Sequence, residues 1–219
     1  MSLSPDAPPT VSPRAAITIR SAHQQDVGSL ADLLASSFHR SEGWLGWLYP
    51  LLRAGIYEDL HHRLRQPAKH YACLAAIDRS SPGPPLPRRS SQPSQSSPCW
   101  LRSHTRPSTH GVPLVGTVEI STKSQFLLGW GEPAYLYVSN LAIQETYRRQ
   151  GIATALLREC DDLAQSWGFQ SIYLHVLEDN QAARQLYRAA GYQVEAVLGD
   201  WLSQFLGRSR RLLMRKVIR

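Results

Sequence analysis

The sequence predicts a mixed α/β fold, and three observations predict it. Short apolar runs alternate with amphipathic stretches through the second half of the chain. One such run, Tyr135 to Ile143, gives way to a helical pattern across Arg148-Arg149-Gln150-Gly151-Ile152-Ala153. A second helical stretch, Asn180 to Gly191, opens on an Asn cap, carries Tyr187 and stops at a glycine.

The elements follow in order. Ala16 to Arg20 reads as a short strand, and Gln24-Gln25-Asp26 then precedes a helical pattern through Leu30, Leu33, Leu34 and Phe38. Trp44 to Arg65 reads as a second helical region, with Trp44, Trp47, Leu48, Leu51 and Leu52 as its apolar stripe and Pro50 as a boundary or kink. Tyr71 to Ile77 is apolar, short and bounded by turn residues, which predicts a strand. Ser80 to Pro113 is dense in Ser, Pro and Arg and cannot build a core, so it reads as a disordered insertion joining two strands of one sheet.

Leu114 to Ile120 is the next strand, followed by Tyr135 to Ile143. A long helix from Ile152 to Trp167 carries Leu156, Cys160, Leu163 and Trp167 on one side, and Gly168 stops it. Ser171 to Leu177 alternates as a strand, with Ile172, Leu174 and Val176 on one face. After the Asn180 helix, Gln193 to Leu198 and Arg211 to Val217 close the sheet, with Trp201 to Leu206 between them. Residues 1–14 are expected to be a disordered tail and residues 15–219 one domain that contains the 80–113 insertion.

Hydrophobic content of 42% and charged content of 19% are those of an ordinary globular chain. No apolar run approaches the ~20 residues of a membrane span, and Met1 to Pro13 lacks the apolar core of a secretory signal. The net charge of +7 is peripheral: Arg79 to Gly111 holds five arginines and no acid, and Phe205 to Arg219 six basic residues and no acid. Leu114 to Gln204 instead holds ten acids against six bases. That distribution argues against nucleic-acid binding, because no basic stripe is interleaved with aromatics in the folded part. Cys73, Cys99 and Cys160 form no disulfide framework and no metal-ligand spacing, so neither a disulfide nor a metal is expected. Cys160 lies in a helix stripe and reads as a buried core thiol.

Between strand and helix, residues Arg149, Gln150, Gly151, Ile152, Ala153 and Thr154 aim several N–H groups at one point. Gly151 lets backbone approach a diphosphate without an intervening Cβ, and the helix start contributes roughly half a positive charge. Read alone, the pattern is equally that of a helix start with solvated arginines.

Arg148, Gly151 and Ala153 match the cofactor motif of the GNAT superfamily of acyl-CoA-dependent N-acyltransferases, and Asn180, Ala183, Leu186, Tyr187, Gly191 and Tyr192 match its second motif. The chain from Leu114 to Val217 resembles that superfamily. Its segments Trp47 to Leu52 and Gly55 to Leu60 resemble the cyanobacterial and plastid branch, which is associated with acetylation of protein N-terminal amines and lysines. The resemblance implies a mixed, mostly antiparallel sheet of six to seven strands. About four helices flank that sheet, which splays between its central strands.

It also implies acetyl-CoA as co-substrate, with Leu141, Ala142 and Ile143 offering backbone groups to the pantetheine arm. Arg148 to Ala153 would bind the diphosphate, Asn180 would contact the cofactor, and Tyr187 would protonate the departing thiolate. Tyr137 and His175 resemble the positions that remove the amine's proton through water in some N-terminal acetyltransferases. A histidine of ordinary pKa suits that task. Glu119 is the competing base, with a surface strand carboxylate as its plainer reading, and His61 and His62 read as solvated. The expected acceptor is a protein or peptide amine, with a small amine such as a polyamine as the alternative, and a non-catalytic CoA-binding protein as a further one. The setting expected is cytoplasmic, or the plastid stroma for a plant chain, and the oligomeric state stays open between monomer and dimer.

Overall fold

A computed structural model describes residues 17–38, 49–66, 68–80, 113–123, 135–198 and 209–218. The expected tail, the body of the insertion, Trp44, Trp47, Leu48 and the Trp201–Leu206 segment lie outside the described residues.

Seven strands form one sheet: β1 (Ile17–Ser21), β2 (Tyr71–Asp78), β3 (Leu114–Lys123), β4 (Tyr135–Ile143), β5 (Ser171–Leu177), β6 (Gln193–Leu198) and β7 (Arg211–Val217). Their order is β1-β2-β3-β4-β5-β7-β6, and every neighbouring pair is antiparallel except β4 and β5. Four helices accompany them: α1 (Val27–Phe38), α2 (Tyr49–Arg65), α3 (Ile152–Ser166) and α4 (Gln181–Ala189). None of the described helices is long and apolar enough to cross a membrane.

The helices cover opposite faces of the sheet. Val27, Leu30, Ala31 and Leu34 of α1 and Leu60 of α2 pack with Cys73 of β2 and Ala142 of β4. On the other face, Ile152, Leu156, Leu157, Cys160 and Ala164 of α3 meet Leu136 and Val138 of β4 and Ile172, Leu174 and Val176 of β5. The two-residue alternation of β4 and β5 therefore sends Tyr137, Tyr173 and His175 to the α1–α2 side.

One expectation fails here. Leu51 and Leu52 do not form the buried stripe of α2, being 70% and 41% exposed. The helix instead turns Leu60 inward, with Ile56 and Leu64 packed beside it and Arg53 paired to Asp32 of α1. That 56–60–64 row is the i, i+4 spacing of a helical face, hidden in the sequence by the more conspicuous leucines one turn earlier. Pro50 sits in the first turn of α2, where its missing N–H costs nothing, so it marks a boundary and not a kink.

The insertion does join two adjacent strands of one sheet. Its roots are held side by side by an Asp78 N–H donating to the Pro113 carbonyl at 3.0 Å.

Candidate active site

The two central strands pair only at Leu136 with Ile172 and Tyr137 with Tyr173. Beyond those pairs they diverge, so the gap opens at the C-terminal ends of β4 and β5. The backbone of β4 from Ser139 to Ile143 that faces β5 is left without a strand partner, which is where Leu141, Ala142 and Ile143 were expected to offer hydrogen bonds.

A bulge shapes that free edge. Thr117 pairs with Ala142 and Glu119 with Ser139, so β4 advances three residues while β3 advances two. Asn140 takes up the excess with a φ of +53°, in the left-handed region.

At the end of β4 the chain passes through a short 3-10 turn, Glu145–Tyr147, into the glycine loop. Arg149 and Gly151 both take left-handed conformations, with φ of +63° and +81°. A Cβ added at Gly151 would meet nothing within 4 Å, so it is the left-handed backbone and not crowding that calls for glycine there. The first bond of α3 runs from the Ala155 N–H to the Gly151 carbonyl at 3.0 Å. The amides of Gly151, Ile152, Ala153 and Thr154 have no acceptor among the described residues. Four such donors at the start of a 15-residue helix fit a diphosphate. The side chains of Arg148 and Arg149 are exposed, and Arg148 Nε donates to the Ile143 carbonyl at 3.3 Å.

Tyr147 braces this loop from behind. Its hydroxyl donates to Asp78 Oδ2 at 2.9 Å, and Asp78, only 6% exposed, also accepts from the Ser80 amide and hydroxyl. Sequence reasoning missed this contact; Asp78 looks like the polar end of a strand, and nothing in the spacing links it to residue 147.

Across the gap, the Tyr137 hydroxyl lies 2.8 Å from His175 Nδ1. The two rings come from adjacent strands, β4 and β5, on the α1–α2 face. Burial, with the charge of Arg211 second, holds His175 below the usual imidazole range, so the ring is neutral near pH 7. Burial raises the Tyr137 phenol above its ordinary value, with Tyr135 adding to the rise and His175 and Arg211 opposing it.

Tyr187 reaches the gap from the α3–α4 face. It is nearly buried, with its ring edge-on to Tyr192 at 5.9 Å. Burial pushes its phenol up to about 12, and the Tyr137 hydroxyl is near enough to add to the rise.

Other candidates take different places. Asn180 caps α4: its side-chain oxygen accepts from the Ala183 amide at 3.1 Å, which leaves only its amide nitrogen for a ligand. Glu119 is no surface carboxylate. It is 1% exposed, with one oxygen accepting from Arg63 of α2 and the other from Asn140, each at 2.8 Å. Sealed and doubly bonded, it cannot serve as the base. Cys160 is fully buried and its thiol is pushed up to about 12 by burial, so it holds no thiolate for covalent chemistry. His61 stacks on Tyr57 on α2, and His62 is exposed.

A sheet parted at one parallel seam, with unpartnered amides at a helix start on one side of the opening and a buried phenol on the other, is an arrangement that fits a phosphate-bearing ligand lying across the strands. The sequence profile of the acetyltransferase (GNAT) family matches residues 59–192, more than half of the chain. The chain belongs to that family.

Among its relatives is the chloroplastic GCN5-related N-acetyltransferase 10 of Arabidopsis thaliana, 43% identical over 106 residues, or 47% of this chain and 41% of that protein. The match thus spans about two fifths of that relative's length. Among solved structures, the PaiA N-acetyltransferase of Thermoplasma acidophilum in complex with coenzyme A superposes with a TM-score of 0.61 at 16% identity, covering 92% of this chain and 99% of that one. Arabidopsis thaliana NAA60 in complex with a bisubstrate analogue gives 0.55 at 20%, covering 93% and 99%. These likenesses carry the fold.

Proposed function

We propose that this protein transfers the acetyl group of acetyl-CoA to a primary amine by direct attack, and that the acceptor is a protein or peptide amine, an N-terminal α-amine before a lysine. The observation that carries the reading is the Tyr137–His175 pair at 2.8 Å, set on one side of the strand gap with Tyr187 on the other.

The co-substrate supplies an activated acyl carbon on a thioester. The amides at the start of α3 bind its diphosphate, and the unpaired β4 edge at Leu141 to Ile143 lines up its arm. An N–H near Leu141 polarises the carbonyl, since a preorganised donor strengthens as negative charge develops. The amine lone pair bonds to the carbonyl carbon and the carbon–sulfur bond breaks. The amine's proton leaves through the Tyr137 hydroxyl, which hands its own proton to His175 Nδ1.

Tyr187 stays protonated throughout the neutral range. Full transfer of its proton to a thiolate of ordinary pKa near 8.5 would run uphill by about 5 kcal/mol. Its contribution is therefore a hydrogen bond to sulfur as charge develops there. His175 releases the amine's proton to solvent and the departing thiolate, held by the Tyr187 hydroxyl, takes one from water, so the balance closes without a covalent enzyme intermediate.

The acceptor follows from the base. At pH 7 an α-amine of pKa near 8 is roughly one-tenth neutral, whereas a lysine near 10.4 is about 250-fold less so. A neutral histidine held below its usual range is too weak to strip a lysine ammonium readily, and suits an amine already partly deprotonated. Arg211 places a positive charge close to both Tyr137 and His175, which opposes a polycation. These points favour a peptide over a polyamine. The chloroplastic name of the relative above supports the plastid setting over the cytoplasmic one.

The test is CoA release from acetyl-CoA with a panel of N-terminal peptides, N-terminally blocked lysine peptides and spermidine at matched concentrations. Turnover greatest on free N-termini is expected. Turnover confined to spermidine would overturn the acceptor assignment, and acetyl-CoA binding without turnover on any amine would overturn catalysis.

A further inference from the structure

The Glu119 carboxylate is the most deeply buried charge among the described residues, and burying one is costly unless its oxygens are paired. Here both are. Arg63 of α2 donates to Oε2 and Asn140 of β4 donates to Oε1, so one group in β3 ties the acceptor-side helix to the bulge. Arg63 is itself braced by Asp59, one turn back on α2.

The partner on β4 is the residue that needs holding. Asn140 has the left-handed φ of +53°, a conformation that residues other than glycine adopt at a cost. It absorbs the extra residue of the bulge, and its side chain has no other hydrogen bond among the described residues. The next residue is Leu141, within the β4 edge that faces the gap.

We infer that Glu119 is a positioning residue: its carboxylate, clamped between Arg63 and Asn140, fixes the bulge and so aims the Leu141 amide at the thioester carbonyl. The inference rests on the acetyl-transfer reading above. It gives the buried acid a task that neither a base nor a surface carboxylate would have. Because Arg63 belongs to the helix on the acceptor side, the clamp also sets the distance between the acceptor face and the carbonyl donor.

The experiment uses the full chain and three variants. In Glu119→Gln, an amide replaces one acceptor, so either Arg63 or Asn140 faces a donor. In Asn140→Asp, two carboxylates oppose each other. The third variant combines both substitutions. There the new amide at position 119 donates to the new carboxylate at position 140 while its oxygen accepts from Arg63, which restores both bonds with one polarity reversed.

Expected are a loss in kcat of ~10-fold or more in each single variant and recovery to within about threefold in the double. The decisive readout is the infrared carbonyl band of bound acetyl-CoA carrying ¹³C at the carbonyl. That band should lie below its solution frequency in the wild type, return toward it in the single variants, and fall again in the double. A role in stability alone would lower Tm without moving the band.

A band equally lowered in the wild type and both single variants overturns the inference and leaves the functional reading standing. Absence of any bound acetyl-CoA band in the wild type strikes the functional reading first, and the inference with it. Should the single variants fail to fold, Asn140→Gly accepts the φ without strain while removing the clamp, and the same band decides.

Discussion

Replacing Tyr187 by Phe removes one oxygen from the wall of the gap and almost nothing else. The ring stays, along with its edge-on contact to Tyr192 at 5.9 Å and its place in the core beneath α4. The Tyr187 hydroxyl makes no hydrogen bond among the described residues, so its loss leaves no orphan, and stability should change by no more than about 0.5 kcal/mol. Catalysis should change far more. A hydrogen bond to a charged acceptor contributes ~1.5–3 kcal/mol, which corresponds to a kcat lower by roughly 10- to 150-fold. Because the charge on sulfur exists only as the carbon–sulfur bond breaks, the KM for acetyl-CoA should hardly move.

Stopped-flow and steady-state CoA release, with a thermal melt beside them, measure all three quantities. Tyr192→Phe is the control: its hydroxyl is buried without a partner among the described residues, so removing it should leave kcat intact and be neutral or stabilising. A kcat within threefold of wild type in Tyr187→Phe would refute the reasoning. So would a fall in acetyl-CoA affinity that accounts for the whole loss.

Three further outcomes follow from the site. His175 is held below its usual range by burial and Arg211, so the acidic limb of kcat/KM should fall below pH 6.5, and Arg211→Gln should move it upward. A limb at or above 6.5 would count against His175 as base. In the folded chain a depressed histidine also adds stability that is full above about 6.5 and is lost as pH falls through the folded pKa, which a pH series of melts would record. Gly151→Ala should weaken CoA binding by ~10-fold, because an L-residue at φ +81° costs about 1–2 kcal/mol and relaxing that strain would turn the loop amides; calorimetric titration with CoA reads it. Tyr147→Phe should raise the KM for acetyl-CoA roughly fivefold with kcat unchanged, since it cuts the brace to Asp78 behind the loop and touches nothing at the gap.

Much of this architecture was legible because period and punctuation agree locally. Tyr135 to Ile143 and Ser171 to Leu177 alternate cleanly, and Asn180 and Gly191 bracket a helix by chemistry that needs no tertiary context. The Tyr137–His175 contact was reachable from strand parity plus a family resemblance. What could not be read was set by partners far away in sequence. Glu119 stands among residues with strand propensity and looks solvent-facing until Arg63, 56 residues earlier, covers it. Leu51 and Leu52 look like core in any window, yet the inward side of α2 is chosen by where α1 and the sheet lie. The bulge at Asn140 did leave a trace, an Asn within an apolar strand, but its use as an anchor emerges only once β3 is placed alongside.

The parallel seam has a consequence for how the molecule breathes. Strands β1 to β4 come from one continuous stretch of chain and β5 to β7 from another, and two residue pairs stitch those blocks together. Subglobal opening should therefore begin at that line, with amide exchange at Leu136 to Val138 and Ile172 to Leu174 faster than burial alone suggests. A ligand lying across the line acts as a missing rung. At 100 times its Kd it would raise the cost of parting the two blocks by about 2.7 kcal/mol, so co-substrate occupancy would set the cohesion of the whole sheet.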